Sequence, residues 1–237
     1  IPKEHNLIVI EDAAHALGSE YRGRKVGSDA DMTMFSFHPV KPITTGEGGV
    51  IVTNDENYYQ RMLMFRTHGI TKESSKMSHY EGTWFYEQQY LGYNYRLTDI
   101  QAALGLSQLK RLDKFIAKRR IIASKYNQLL KDIDGISTPY EPEYSNSGWH
   151  LYIIKLDQGL DRREIYEALI AENIGVMVHY IPVFNHPYYK ELGYDQKNCP
   201  NAVDSYKRII SLPIYPKMNY KDILSVVKSI KKVMAQI

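Results

Sequence analysis

The apolar positions of this chain fall into short continuous runs near its start and into a helical stripe through its middle. Leu7 to Ile10 is apolar at every position, which predicts a parallel-type strand buried on both faces. Met32 to Phe37 reads as a second strand and Val50 to Thr53 as a third. Asn54-Asp55 closes the third run and can cap a helix reaching about Phe65. From Gly69 to Gly92 the chain is polar and aromatic without periodicity, which predicts a functional loop rather than packed structure. Thr98 then opens a helix with Asp99 in its first turn. Leu109, Leu112, Ile116, Ile122, Tyr126 and Leu129 recur at spacings of mostly three, four and their sums, one buried stripe. Unbroken to Lys131, such a helix would run about 50 Å, with Gly105 a candidate bend. Asp134-Gly135 ends it.

Beyond Pro139 and Pro142 the pattern changes to a smaller α+β unit. His150 to Leu156 and Gly175 to Tyr180 read as strands, Asp161 to Asn173 as a capped helix, and Asn201 to Ile209 and Tyr220 to Met234 as helices flanking extended Ile210 to Ile214. This predicts an α/β protein with a domain boundary near residue 135, giving domains 1–135 and 136–237.

Composition narrows the classes. The 237 residues are 43% hydrophobic and 24% charged, ordinary for a globular protein. A formal charge of +3 is too small to imply nucleic acid by itself. Lys110, Arg111, Lys114, Lys118, Arg119 and Arg120 lie opposite the apolar stripe without interleaved base-stacking aromatics, and read as a solvated face. The single Cys199 excludes an intramolecular disulfide and fits a reducing compartment. No apolar run approaches the roughly 20 residues that span a bilayer, and no signal peptide is seen, so the expected address is the cytoplasm, with no membrane partner. The eight histidines show no metal-ligand spacing, so no metal is expected. A Gly-x-Gly-x-x-Gly dinucleotide fingerprint is absent as well, because Gly46, Gly48 and Gly49 have another spacing and precede a strand.

The candidate chemistry gathers at strand ends. Glu11-Asp12-Ala13-Ala14-His15 follows the first run, where an α/β sheet presents its ligand groups. Glu11 would point away from Asp12 if the strand continues, and carries no assignment. Phe35-Ser36-Phe37-His38-Pro39-Val40-Lys41-Pro42 leads into Thr44-Thr45-Gly46-Glu47-Gly48-Gly49, so a lysine lies between a strand end and a glycine-rich bend. One carboxylate, one serine and one lysine, each at a strand end, suit an aromatic aldehyde cofactor with a phosphate tail. His38 reads as a supporting residue.

Asp12 with His15, Ser36 with Lys41, and the Thr-Thr-Gly-Glu-Gly-Gly run resemble the DegT/StrS family of pyridoxal-phosphate-dependent sugar aminotransferases. The resemblance continues in order through Arg66-Thr67-His68-Gly69, Asn94-Tyr95-Arg96-Leu97, His179-Tyr180 and Ser211-Leu212-Pro213, and its nearest branch makes pseudaminic-acid precursors. It implies the type I aminotransferase fold of pyridoxal-phosphate-dependent transferases. The chain begins at Ile1-Pro2-Lys3, where family members carry a longer preceding segment with the first strands of the large domain. The expectation is therefore the N-terminally truncated, C-terminal portion of a longer protein, with a small α+β domain last.

The resemblance also implies roles. Lys41 would bond covalently to the cofactor aldehyde and then shuttle a proton, and Asp12 would pair with the pyridine nitrogen. His15 either packs as a structural histidine or lies against the cofactor ring near its 3′-oxygen. Ser36 either bonds to backbone or reaches the cofactor phosphate. Asn94 is either a turn residue or a ligand to the phosphate of a partner subunit's cofactor, which requires a homodimer with shared sites. Arg96 supports that loop or holds substrate, and His179 and Tyr180 either pack or border a nucleotide-sugar pocket. The implied reaction carries an amino group from an amino acid, L-glutamate first, to a 4-keto-6-deoxy nucleotide sugar. Two alternatives stand beside it: a non-catalytic interaction or regulatory fragment that keeps the fold, and a related sugar dehydratase, which lacks the lysine.

Overall fold

The computed structural model describes residues 3–237, Lys3 by its backbone alone. Ile1 and Pro2, on which the reading of the chain's opening rests, lie outside the described residues. The chain divides into two compact units, one formed by the residues up to Leu17 with Arg24–Leu112, the other by Gly18–Gly23 with Asp113–Ile237.

In the first unit, β1 (Ile10–Asp12) runs parallel to β2 (Met32–Ser36), with Asp12 opposite Met34, and β3 (Gly49–Val52) pairs antiparallel on the other side, with Ser36 opposite Gly49. The expected strand Leu7–Ile10 is corrected: the ladder begins at Ile10 and extends into the acidic residues. Burial on both faces is corrected too, since Leu7 and Ile8 are exposed and Ile10 is 69% exposed. The physical reason is position, because among the described residues β1 pairs with β2 on one side only. Met32–Phe37 is as expected except for its last residue. Its alternation places Thr33 and Phe35 inside, and Thr33 donates to Glu11 Oε2 at 3.0 Å. Glu11 is thereby engaged on the face away from Asp12's turn.

Helix α1 (Glu56–Phe65) is capped by Asp55, whose carboxylate accepts from the amides of Asn57 and Tyr58. The stretch expected to be a functional loop rather than packed structure contains a short antiparallel ladder, Ile70–Thr71 with Glu87–Gln88. Helix α2 (Asp99–Leu109) starts in a capping box formed by Thr98 and Gln101. The long helix does not bend at Gly105. It ends at Leu109, and a new helix, α3 (Leu112–Leu130), follows. Gly105 serves another purpose, since a Cβ there would stand 2.8 Å from the Thr45 Cγ2 methyl. The glycine lets the helix approach the glycine-rich bend closely.

The second unit has a three-stranded antiparallel sheet in the order β6–β5–β4, where β4 is Ile136–Ser137, β5 is Tyr152–Leu156 and β6 is Ile209–Leu212. Gly175 to Tyr180, expected as a strand, forms only an isolated bridge at Met177 opposite Ser211. Helices α4 (Arg162–Ala171), α5 (Pro200–Arg208) and α6 (Tyr220–Met234) also belong to it, with a short helical turn over Pro187–Glu191. Tyr126 and Leu130 of α3, Tyr152, Ile154 and Leu156 of β5, Leu169 of α4 and Ile230 of α6 belong to one continuous buried cluster. α3 thus contributes residues to that buried cluster. The solvated-face reading of α3 fails at Arg119 and Arg120. Arg119 is buried, and Arg120 donates to the carbonyls of Gly18, Asn146 and Ser147. A helical cation can face inward when backbone acceptors await it.

Candidate active site

Asp12 and Ser36 end two parallel neighbouring strands, so both lie at the same, C-terminal end of those strands. Ala13 continues β1 by donating to the Met34 carbonyl at 2.9 Å. Asp12 Oδ1 then accepts from the amide of Ala14 at 3.0 Å, fixing the carboxylate over the turn that carries the exposed His15. At the end of β2, Ser36 Oγ accepts from the His38 amide at 3.3 Å. The backbone reading of Ser36 is thus realised, and its O–H remains a donor.

Lys41 sits in a loop with many fixed points. Its own amide bonds the His38 carbonyl at 3.0 Å. Phe37 acts as the loop's anchor: its carbonyl accepts from the Thr45 amide at 3.0 Å and the Thr44 hydroxyl at 2.9 Å, while its amide donates to the Gly48 carbonyl at 2.9 Å. Gly46 has φ +82, a conformation L side chains adopt only with strain. Gln101 donates from Nε2 to the Glu47 carbonyl at 3.0 Å and ties the start of α2 to this loop. Pro42 and Ile43, which follow the lysine, are buried.

The amine itself is half-buried, and burial pushes its pKa below the ordinary lysine value. The Asp12 carboxylate acts the other way and raises it, which places Asp12 within electrostatic reach of Lys41. A lysine with a lowered pKa beside a carboxylate carries more of the neutral amine that attacks a carbonyl. His38, expected to support the loop, is exposed and stands 3.9 Å from Glu47 Oε1.

Asn94 and Arg96 are also in the first unit, both exposed. Asn94 forms a backbone bridge with Thr67, and its neighbours Tyr93 and Tyr95 bond the carbonyls of Phe65 and Arg66. Among the described residues, no hydrogen bond or ion pair joins Asn94 or Arg96 to Asp12, Ser36 or Lys41. In the second unit, His179 Nδ1 is 2.8 Å from Ser211 Oγ, and its ring meets that of Tyr180 edge-on at 4.6 Å. A cleft lined by Phe184, Lys190, Tyr194 and Asp195 belongs to the second unit and includes none of the expected site residues.

Four contributors were not assigned from sequence. Thr44, Thr45 and Gln101 hold the lysine loop, and the Thr-Thr-Gly run was the available signal for the first two. Ser211 was visible only as part of Ser-Leu-Pro.

Residues 1–231 match the DegT/DnrJ/EryC1/StrS aminotransferase family. Over 241 aligned residues the chain is 40% identical to a UDP-4-amino-4,6-dideoxy-N-acetyl-beta-L-altrosamine transaminase of Campylobacter jejuni, covering 98% of this chain and 62% of that protein. Helicobacter pylori PseC, an aminotransferase of pseudaminic acid biosynthesis, superposes with a TM-score of 0.91 at 35% identity, over 100% of this chain and 62% of PseC. The pyridoxal-phosphate form of the sugar aminotransferase Spr1654 of Streptococcus pneumoniae matches with a TM-score of 0.88 at 32% identity, over 99% of this chain and 60% of Spr1654. The chain thus spans about three-fifths of the length of these relatives. It belongs to the DegT/DnrJ/EryC1/StrS aminotransferase family, with the type I aminotransferase fold of its structural neighbours.

Proposed function

We propose that this chain carries the lysine-bearing part of a pyridoxal-phosphate-dependent transaminase that moves an amino group from an amino acid, L-glutamate first, to a 4-keto-6-deoxy nucleotide sugar. The observation that carries it is the half-buried Lys41, its pKa lowered by burial, on a fixed loop within reach of the Asp12 charge. That pair fits the cofactor: a neutralisable amine meets its aldehyde and a carboxylate meets its ring nitrogen. When bound, the cofactor would supply an electron sink for negative charge developing at the donor's α-carbon.

The chain's own residues then have distinct tasks. Asp12 holds a proton on the ring nitrogen, and its bond from the Ala14 amide keeps the carboxylate oriented for this. Ser36 donates its hydroxyl proton to a phosphate oxygen while still accepting from His38. His15 would face the cofactor ring near its 3′-oxygen. Lys41 Nζ moves a proton at the donor's α-carbon, and burial lowers its pKa in the direction that role needs. Asn94 reaches a phosphate held mainly by a partner subunit, in a homodimer with shared sites, and Arg96 steadies that loop or holds substrate. His179 and Tyr180 border the nucleotide-sugar pocket. Residues 1–135 then form the later part of the cofactor-binding domain and 136–237 the small domain. The reading places its action in the cytoplasm; among the described residues no helix is long and apolar enough to cross a membrane.

In the full-length protein, Lys41→Ala is expected to abolish transamination while the fold persists. Borohydride treatment of the wild type is expected to fix the cofactor to the peptide containing Lys41. Labelling at another lysine would overturn the assignment.

A further inference from the structure

Ser211 is the centre of a small, well-anchored network in the second unit. It is 4% exposed, so its hydroxyl has almost no access to water, and it lies 2.8 Å from His179 Nδ1. Its backbone is fixed as well. Ser211 donates to the Met177 carbonyl at 2.7 Å and accepts from the Met177 amide at 3.2 Å, two residues before His179.

The segment beyond Ser211 is held from α3. The Tyr126 phenol donates to the Pro213 carbonyl at 2.9 Å, and Arg119 Nη1 donates to the Ile214 carbonyl at 2.9 Å. Arg119, itself 4% exposed, also bonds the carbonyls of Trp149 and His150 at 3.1 and 3.3 Å. Burial lowers its pKa to about 10, so it stays charged at neutral pH and its bonds are charge-assisted. The Ser211 hydroxyl is therefore carried on a stretch of backbone secured at both ends.

An imidazole has two chemically different nitrogens, and a fixed partner at one of them sets the ring's rotation and its tautomer. We infer that Ser211 is a positioning residue for the nucleotide-sugar substrate, orienting the His179 ring toward the sugar or diphosphate oxygens. This rests on the substrate-site role proposed above for His179. The Tyr180 ring packs edge-on against the same imidazole.

The test uses the full-length protein with Ser211→Ala, Ser211→Thr and His179→Ala variants. The probes are a UDP-linked 4-keto-6-deoxy sugar and L-glutamate, read by steady-state kinetics. The histidine ring ¹⁵N signals are read by NMR. Ser211→Ala is expected to raise KM for the nucleotide sugar about fivefold to tenfold, the worth of one ordinary hydrogen bond. The KM for glutamate should not move, whereas a merely structural defect would move both. Ser211→Thr, which keeps the hydroxyl, should restore KM, and only the alanine variant should shift the His179 ring signals. A nucleotide-sugar KM unchanged in Ser211→Ala but raised in His179→Ala would overturn the inference alone. An unchanged KM in His179→Ala would overturn the substrate-site reading and the inference together. Failure of threonine to rescue a folded protein would make Ser211 a packing residue, and would also overturn the inference.

Discussion

The second unit buries its apolar residues, and the first displays many of its own. Tyr152, Ile154, Leu156, Ile165, Leu169, Ile210 and Ile230 lie in one buried cluster. Among the described residues, the first unit's buried apolar side chains are Ala13, Phe35, Pro42 and Ile43, beside the buried threonines 33, 45 and 71. Its strands leave Ile10, Val50, Ile51 and Val52 exposed, Leu7 and Ile8 ahead of β1 are exposed too, and α2 exposes Ile100, Leu106 and Leu109. Yet Asp12, Ser36 and Lys41 are all in this less buried unit. Their positions are set by hydrogen bonds of the strand ends and the glycine-rich loop, where the second unit is held by apolar burial. Apolar faces of this extent belong to surfaces that pack against something else.

The sharpest way to break this contrast is hydrogen exchange on the isolated 237-residue chain. Amides in β5 and β6 are expected to exchange about a thousandfold more slowly than those of β1 and β3, because exchange follows local stability. Equal protection would show that the first unit is stable as it stands. The same chain, mixed with pyridoxal phosphate, glutamate and a UDP-linked 4-keto sugar, is expected to bind cofactor weakly and consume no glutamate. Robust turnover would show that the described residues already make a working site.

Mutation sharpens the contrast next. Leu169→Ala, at a buried position of the second unit, is expected to cost about 2–5 kcal/mol in chemical denaturation. Ile10→Ala should cost no more than about 0.5 kcal/mol in the isolated chain, since its side chain faces solvent there. Similar losses at the two positions would mean that Ile10 is covered in solution.

Asp12→Asn probes how the exposed site holds its charge. The Asp12 carboxylate raises the Lys41 pKa against the effect of burial, so removing it should lower that pKa further. The lysine's reactivity toward an aldehyde reagent, followed against pH, reads this directly. A pKa that stays or rises would separate the two residues. In the full-length protein, turnover of the same variant is expected to fall about a hundredfold or more.

How much of this was legible depends on what each feature needs. Helix α1 and its Asp55 cap, the strand Met32–Ser36 and the final helix were readable, because caps and periodicity are local signals. The strand-end placement of Asp12 and Ser36 was readable for the same reason. Leu7–Ile10 was misread because an apolar run states that burial is preferred and not whether a covering surface is present. Gly105 was misread because a glycine within a helix can mean a bend or a close approach, and only Thr45 across the gap decides between them. Arg119 looked like part of a charged face because its acceptors are carbonyls of residues 30, 31 and 95 positions away. The Ser211–His179 bond spans 32 positions and leaves no local signal either.

The smallest expected effect lies in the loop of the first unit, where one carboxylate replaces an apolar core. Glu87 accepts from the Ser78 hydroxyl at 2.5 Å and from the Ser78 amide at 2.8 Å, with further bonds from the His79 amide and the Gln89 side chain. The Ser78 bonds above all hold its pKa down at about 2, from an ordinary value of 4.5. A carboxyl with a depressed folded-state pKa contributes stability that is complete above its unfolded value and is lost as pH falls through the folded one. The contribution should therefore be whole above pH 4.5 and fade toward pH 2. Glu87→Gln should loosen the 70–88 ladder at neutral pH, raising exchange of the Ile70 and Gln88 amides. It should leave β5 and β6 of the second unit unchanged. The difference between variant and wild type should shrink on acidification across that window, because the wild type then loses the same acceptor. An effect that is independent of pH from neutral down to 2 would mean that the side chain's shape, and not its charge, holds the loop.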